Sequence, residues 1–312
     1  MNRTALDQYE EIVTDALKSC SAKLRKSFKT AFIQIMILYM ILPRKINFTQ
    51  MGRYSDSSEQ RFRQLFEREF DWMQFNLFLM RQRFGESVRK AIAIDASYIS
   101  KSGKKTPYIG KFWSGCASQV KRGLEILGIG IIDIDSRDCM MLRAEQTPDK
   151  AYLEKQGEDY NLVDWYLDVL RKYKDKLLRI TRYVVADAWF SKAKFVGEAC
   201  LLGFHVISRL RDDAALWYAH DGVRTGKRGR PRIKGEKIDF ENLDLQRCEI
   251  LDIEGGRAYS VKAYSKAMKR NIKVVVHYPE SGGHKIYFST DLDMAAKDII
   301  EYYRTRFQIE FC

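Results

Sequence analysis

The chain has 312 residues, 46% of them hydrophobic and 12% aromatic, with a formal net charge of +13 and a pI near 9.3. This composition excludes an intrinsically disordered chain, and the length suffices for two or three folded units. The strong positive charge favours a polyanionic partner, of which nucleic acid is the first candidate and an acidic membrane surface the competitor.

Cysteine spacing and hydropathy narrow the class of protein further. The six cysteines are scattered without the C-x-x-C or Cys/His spacing of a zinc site, which indicates reduced thiols in a cytoplasm rather than a disulfide framework. The first residues are polar and lack a signal-peptide pattern, and the longest apolar run, residues 31–43, is too short to span a bilayer. We therefore expect a cytoplasmic protein without a membrane partner.

Residues 1–90 have the pattern of a small helical domain. Apolar residues recur at helical spacing in residues 7–25 and 29–42, and Pro43 ends the second of these segments. Two shorter helices, joined by a polar turn, are predicted within residues 47–68. Their order, and the arginines of the second one, are typical of a helix-turn-helix-like DNA-binding unit, although many small helical bundles have the same pattern.

Short apolar strands, two of which end in an aspartate, replace this pattern in the next part of the chain. Residues 91–95 form one such strand and end at Asp95, and residues 183–187 form the other and end at Asp187. Further β segments and two amphipathic helices complete residues 91–208. Strands and helices interleaved in this order predict an α/β protein with a mixed sheet.

Residues 209–290 return to a β pattern, which predicts a β unit inserted between the sheet and the last helix. Within it, residues 224–237 hold seven Lys or Arg residues and one acid. The cations of this loop that we expect to contact nucleic acid are Lys227, Arg228, Arg230 and Arg232. The extended Arg-Gly-Arg-Pro core suits insertion into an A·T-rich minor groove, and a basic loop that holds phosphates without sequence preference is the alternative.

Two further groups of side chains are candidate contacts to nucleic acid. Three lysines follow the strand that ends in Asp95, and we expect them to track a phosphate backbone, with a solvated loop as the alternative. They are Lys101, Lys104 and Lys105. Three tryptophans can stack on bases, but a tryptophan in a sheet protein more often belongs to the core. They are Trp113, Trp189 and Trp217.

The last segment, residues 291–312, is predicted as a helix with Asp293 as its N-cap. Tyr303, Arg306 and Glu310 fall at positions i, i+3 and i+7, so they share one face of that helix. An arginine one turn before a carboxylate on a packed helix suits an anion or a metal ion. An ordinary Arg–Glu pair on a helix surface is the simpler explanation.

Three carboxylates, Asp95, Asp187 and Glu310, are therefore candidates for one site. Carboxylates that converge repel one another unless cations neutralise them, and a ligand set made of oxygen atoms suits Mg²⁺ or Mn²⁺. Two such ions, roughly 3.5–4 Å apart, activate a water or a 3′-hydroxyl and stabilise the leaving oxygen of a phosphodiester. These residues predict a two-metal phosphodiester site in a basic protein.

The same motifs carry a family resemblance. The sequences Ile-Asp-Ala-Ser at 94–97 and Ala-Asp-Ala-Trp-Phe at 186–190 precede the pattern Tyr-x2-Arg-x3-Glu at 303–310. In this order they resemble the DDE transposases of bacterial insertion sequences. They are most similar to the group marked by a Tyr-Arg-Glu-Lys signature around the last carboxylate.

The resemblance implies a fold, an activity and roles for the site residues. It implies a ribonuclease-H-like core that binds two Mg²⁺ or Mn²⁺ ions through Asp95, Asp187 and Glu310. Tyr303 and Arg306 would contact DNA phosphates near the cut. The implied reaction is metal-dependent hydrolysis at transposon ends, followed by attack of the freed 3′-hydroxyl on target DNA. The implied partners are double-stranded DNA and a second copy of the chain bound to it, near the bacterial nucleoid.

The combined expectation is a chain of four parts. They are a helical DNA-binding domain at 1–90, a catalytic core at 91–208, an inserted β subdomain at 209–290 and a closing catalytic helix at 291–312. The lysine of the signature would lie seven residues after Glu310, beyond Cys312, so we expect a truncated copy or a fragment. Two other functions stay open: a non-catalytic DNA-binding protein or repressor, and a structure-specific nuclease that cuts without joining.

Overall fold

A computed structural model describes residues 3–20, 24–43, 45–103, 105–220 and 233–312. Lys104 and the four basic-loop residues lie outside these ranges; the loop residues are Lys227, Arg228, Arg230 and Arg232. The chain divides into two compact units, Met1–Glu86 and Ser87–Cys312. No helix in the described ranges is long and apolar enough to cross a membrane.

The first unit is helical throughout its described residues. Its helices are α1 (Ala5–Ser19), α2 (Lys26–Ile41), α3 (Phe48–Arg53), α4 (Glu59–Phe66) and α5 (Trp72–Phe84). Polar side chains cap four of them, because each accepts a hydrogen bond from a backbone N–H of the first turn. These caps are Thr4, Asn47, Ser58 and Asp71. An aromatic cluster fills the space between α1, α2 and α5, with Phe32 4.8 Å from Phe70 and 5.3 Å from Phe75 between ring centroids.

The second unit is built on one large sheet. Its first strands are β1 (Lys90–Ser100), β2 (Gly110–Ser114), β3 (Gln119–Asp133), β4 (Asp138–Gln146), β5 (Tyr183–Ala186) and β6 (His205–Leu210). The later strands are β7 (Leu216–Ala219), β8 (Lys234–Lys237), β9 (Glu249–Ile253), β10 (Gly256–Ser265), β11 (Arg270–Pro279) and β12 (Lys285–Ser289). The helices are α6 (Lys150–Gln156), α7 (Leu162–Leu178), α8 (Ala193–Leu201) and α9 (Ala296–Thr305), which a 3₁₀ helix (Arg306–Phe311) extends.

Strand order in this sheet mixes antiparallel and parallel neighbours. The order is β2-β3-β1-β5-β6-β12-β11-β10-β7-β8, with β4 also paired to β3 and β9 to β10. Strand β3 runs antiparallel to β1 and β4, whereas β1, β5 and β6 are parallel. The parallel pairs need helical crossovers, and α7 and α8 supply them. This is a ribonuclease-H-like arrangement, so the predicted α/β class with a mixed sheet is confirmed.

The strands predicted as an insertion continue this sheet. Strand β12 pairs antiparallel with β6, from Ile286 opposite Leu210 to Ser289 opposite Ile207. Through this pairing, β7 to β12 are hydrogen-bonded to the same sheet that holds β1 and β5. The subdomain boundaries at 208 and 290 stay a prediction.

The start of the closing helix differs from its prediction. Helix α9 begins at Ala296 with Ala295 as its N-cap, so the assignment of Asp293 as the cap is wrong. The reason is a turn in which the Asp293 N–H donates to the Asp291 carboxylate at 3.0 Å. The same carboxylate accepts a hydrogen bond from the Tyr183 hydroxyl at 2.7 Å, which attaches the turn to β5.

A glycine in β3 makes room for a side chain of the neighbouring strand β4. A Cβ atom built on Gly130 would lie 2.9 Å from the Cys139 sulfur and 3.5 Å from a side-chain carbon of Ile309. Ile309 is buried in the core that β1, β3 and β5 share with α9. The absence of a side chain at Gly130 therefore leaves room for the Cys139 side chain, whereas the distance to Ile309 is an ordinary van der Waals contact.

We expect Gly130→Ala to destabilise the protein by about 1–3 kcal/mol, because the added methyl forces the Cys139 side chain to shift in a packed region. The measurement is the urea concentration at the unfolding midpoint. Gly197→Ala in α8 is the matched control, since a Cβ there meets no atom within 4 Å. The control should be neutral or up to about 1 kcal/mol more stable, because alanine is the better helix former. Equal stability of the two variants would contradict the packing argument.

Candidate active site

Two of the three predicted carboxylates lie side by side because of strand register. The last residue pair of the parallel β1–β5 ladder is Ile94 opposite Ala186. Asp95 and Asp187 are the next residues on the two strands, so the ladder sets them on neighbouring backbones about 4.8 Å apart. The prediction that the first of these strands ends at Asp95 is wrong, because pairing with β3 extends β1 to Ser100. The site therefore begins where β5 ends and β1 continues beside β3.

Backbone contacts fix the position of Asp187. Its carboxylate caps the short 3₁₀ helix Ala188–Phe190 by accepting a hydrogen bond from the Trp189 N–H at 3.0 Å. Its backbone carbonyl accepts a hydrogen bond from the Ser208 hydroxyl at 2.8 Å. The Ser191 hydroxyl donates to the Ser208 oxygen at 2.8 Å, so a hydroxyl pair ties this turn to β6.

Glu310 reaches the site on the 3₁₀ helix rather than on a continuous α-helix. The change at Arg306 tightens the chain to three residues per turn, so the predicted i, i+3, i+7 geometry holds only up to this point. Ile309 is buried and anchors the segment, whereas the Glu310 side chain is 50% exposed. Glu310 therefore lies at the solvent side of the site.

The Arg306 guanidinium lies between the carboxylates. Its Nη1 is 3.7 Å from Asp95 Oδ1, and its Nη2 is 4.0 Å from Glu310 Oε1. The side chain is only 6% exposed, and its buried Nε has no hydrogen-bond partner among the described residues. The rings of Tyr303 and Phe307 flank the cation, with centroids 5.7 and 4.4 Å from its Cζ. Arg306 is therefore a buried counterion to the site in this structure.

The electrostatics of Asp95 reflect this crowding. Burial raises the pKa of Asp95 to about 6, Arg306 opposes the rise, and the negative charges of Asp187 and Glu310 add to it. Asp95 is thus close enough to both other carboxylates to be repelled by each of them. An internal cation or a bound one must compensate that repulsion when all three are ionised.

The donor chemistry of the site fits a hard divalent cation. Asp95, Asp187 and Glu310 offer oxygen ligands without sulfur or imidazole, which is the set that Mg²⁺ and Mn²⁺ prefer. Within the described ranges, no three His, Cys, Asp or Glu side chains are grouped closely enough to hold a metal ion. The three residues have the ligand atoms that a divalent cation prefers, but in this structure Arg306 lies beside Asp95 and Glu310.

Lys192, which the sequence motifs did not predict as a site residue, lies beside the site. Lys192 Nζ lies 3.2 Å from the ring centroid of Trp189, and burial lowers the pKa of Lys192 while Asp187 opposes that shift. The Trp189 side chain packs against Tyr166 with ring centroids 5.5 Å apart, yet the residue is 40% exposed. The signal was the Asp-Ala-Trp-Phe-Ser-Lys run at 187–192, which places a lysine one short turn after the strand-end aspartate.

The other predicted DNA contacts take different positions. Tyr303 is partly buried with its ring 5.2 Å from that of Tyr287, and burial raises the pKa of its hydroxyl. Lys101 and Lys105 are exposed in the segment that follows β1. The Arg306 side chain faces the carboxylates rather than solvent. DNA contact by these four residues stays a prediction.

Comparison with known proteins bears on this site. A family model described as DDE superfamily endonuclease matches residues 25–254, about three quarters of the chain. The matched range includes Asp95 and Asp187 and ends before Glu310. Comparison with curated proteins gives no match.

We expect Arg306→Met to destabilise the protein, because it leaves the partly buried carboxylates without their counterion. In an Asp95→Asn background the same change should cost less, because one of the repelling charges is gone. Urea denaturation of the four members of this cycle should give a coupling free energy of about 1 kcal/mol or more. A parallel cycle with Asp175→Asn, an exposed carboxylate on α7, should be additive. Additivity in the first cycle would show that Arg306 and Asp95 do not interact.

Proposed function

The chain belongs to the DDE superfamily of endonucleases, and from this we propose that it is a transposase of the bacterial insertion-sequence type. It would cut DNA at transposon ends and join the freed 3′-hydroxyl to target DNA. Membership in this family implies a metal-dependent nuclease that acts on DNA. The proposal that the nuclease is a transposase rests on the candidate active site and on the positive charge of the chain.

The observation that carries the proposal is the convergence on Asp95. Its carboxyl group senses the charges of both Asp187 and Glu310, although the three residues are far apart in sequence. The register of β1 and β5 accounts for the proximity of Asp95 and Asp187. The packing of Ile309 accounts for the proximity of Asp95 and Glu310. Carboxylates that repel one another lower the stability of the fold unless a nearby cation neutralises them.

Asp95, Asp187 and Glu310 would hold two Mg²⁺ or Mn²⁺ ions. Bound divalent cations supply nucleophile activation and charge neutralisation in phosphodiester cleavage. The residues of the chain provide the rest. Asp187 is held rigidly by its cap and by Ser208, so its carboxylate orientation is set before substrate arrives. Preorganised charges of this kind cost no reorganisation during the reaction.

Cations around the carboxylates would position the DNA. Lys192 and Trp189 lie next to Asp187, where an ammonium can neutralise a phosphate and an exposed indole can stack on an unpaired base. Arg306 would turn from the carboxylates to phosphates when divalent cations neutralise the site. The remaining proposed contacts are Tyr303, Lys101, Lys104, Lys105, Lys227, Arg228, Arg230 and Arg232.

Membership in the Tyr-Arg-Glu-Lys group is part of the same proposal. It is supported by the spacing of Tyr303, Arg306 and Glu310, and by the cation–aromatic contact between the first two. A transposase of this group acts on two DNA ends, so we propose that two copies of the chain assemble on DNA.

We expect Asp95→Asn, Asp187→Asn and Glu310→Gln each to lower Mg²⁺-dependent cleavage of supercoiled plasmid by more than about 100-fold, since loss of residues that only support metal ligands already costs 10–100-fold. DNA binding should be retained, because it rests on the basic surface. Asp175→Asn on α7 is the matched control and should cut at the wild-type rate. Normal cleavage by any of the three site variants would place the active centre elsewhere.

A second experiment separates joining from cutting. Purified protein with a cut transposon end carrying a free 3′-hydroxyl and a target plasmid should yield covalently joined products in Mg²⁺, detected by gel mobility and sequencing across the junction. Cleavage without joined products would identify a nuclease instead. Binding without either reaction would identify a non-catalytic DNA-binding protein or repressor.

A further inference from the structure

A basic β-hairpin leads away from the candidate active site. The hairpin consists of β2 and the first five residues of β3, Gln119–Gly123. They pair with β2 from Gly110 opposite Gly123 to Ser114 opposite Gln119. The surrounding residues 96–124, from Asp95 to Glu125, contain no Asp or Glu. The cations of that stretch are Lys101, Lys104, Lys105, Lys111, Lys121 and Arg122.

The hairpin continues β3 beyond the end of β1, the strand that carries Asp95. Strand β1 pairs with β5 only as far as Ile94, whereas it stays paired with β3 as far as Ser100, opposite Gly123. Five residues separate Asp95 from Ser100, which corresponds to roughly 17 Å of extended chain. One DNA strand carries a phosphate every 3.4 Å or so, and the hairpin therefore stands about five nucleotides from the carboxylates.

One face of the hairpin combines cations with exposed apolar side chains. Residues directly opposite each other in an antiparallel pair point to the same face. Trp113 lies opposite Val120, and they are 59% and 57% exposed. Lys111 and Arg122 are opposite each other one pair away on this face. Phe112 points to the other face and is buried.

This face has unfavourable features for a protein in water without a partner. Like charges directly opposite on a sheet repel, and a large exposed indole leaves apolar area in contact with solvent. In the described part of the chain, no acidic side chain forms an ion pair with Lys111 or Arg122. Arg122 is held by donating to the Gly103 carbonyl at 3.1 Å, which removes no positive charge.

Tyr98 of β1 holds the base of the hairpin in place. The Tyr98 hydroxyl of β1 donates to the Arg122 carbonyl at 2.7 Å. A Cβ atom on Gly123 would lie 2.4 Å from the Ile99 carbonyl oxygen and 2.5 Å from the Tyr98 ring, so that ring packs directly on the glycine. The cationic face is therefore set on a rigid support, which lowers the entropy that binding would cost.

We propose that this hairpin is a second DNA contact, which holds the duplex about half a helical turn from the scissile phosphate. Lys111 and Arg122 neutralise backbone phosphates, and Trp113 with Val120 contacts the sugars and base edges between them. Duplex DNA fits better than a protein partner, since Lys111 and Arg122 border the apolar pair without an acidic partner among the described residues. Acids are also absent from the sequence over 29 residues. The inference rests on the proposed function in that the partner is DNA, but it requires no catalysis.

The test is the salt dependence of DNA affinity. Fluorescence anisotropy of a labelled 30-bp duplex is measured with the full chain in EDTA, over a series of NaCl concentrations. Lys111→Ala should reduce the slope of log affinity against log salt by about one, because one phosphate contact no longer releases counterions. Trp113→Ala should weaken binding roughly tenfold at every salt concentration without changing the slope, and Trp113→Phe should retain most of the affinity.

Matched controls keep the outcomes distinct. Lys262→Ala removes an exposed strand lysine on β10, far along the same sheet, and should leave both slope and affinity unchanged. Thermal melts should show that all four variants fold. Wild-type slope and affinity in both Lys111→Ala and Trp113→Ala would overturn the proposal and leave the proposed function standing. A Trp113→Ala variant that changes oligomeric state while binding DNA normally would also overturn it. Failure of the wild-type chain to bind duplex DNA would overturn both.

Discussion

Repulsion among three carboxylates is the constraint on which the rest of this structure depends. Burial raises the pKa of Asp95, and the negative charges of two more carboxylates add to the rise. A fold that gathers these charges must either neutralise them or lose stability. In this chain the neutralising group is Arg306, which is itself almost fully buried between two of them. The candidate active site thus has its negative charges opposed by one buried cation.

The scaffold around this balance is rigid on one side and adaptable on the other. The two aspartates follow directly from a parallel strand pair, and the Ser208 hydroxyl holds the Asp187 backbone. Glu310 is an exposed residue of a short 3₁₀ segment, of which Arg306 and Ile309 are the buried residues. A single exposed carboxylate on a short segment can move toward a cation at lower cost than two residues fixed by a sheet ladder.

Several parts of this architecture were predictable, and the reasons are physical. The two aspartates stand out because each follows an apolar run typical of a buried strand. Only Asp187 lies at the end of its strand, whereas β1 continues past Asp95 to Ser100 because β3 stays paired with it. The alternation of such runs with amphipathic helices predicts a mixed sheet, and the observed strand order agrees. The start of α9 was mispredicted because the Asp291 carboxylate organises a turn through a contact with Tyr183, which is 108 residues away. Sequence patterns do not contain such distant partners.

The sequence by itself determined the composition of the site: its acidic residues, their order, the surplus of positive charge and the periodicities of the elements that carry them. Only the tertiary structure decided that Arg306 is buried among the carboxylates, that Lys192 covers Trp189, and that the β2–β3 hairpin points its cations outward. Local patterns follow from neighbours along the chain, because backbone periodicity sets which side chains share a face. Burial and charge pairing follow from neighbours in space, which strand register and close packing select.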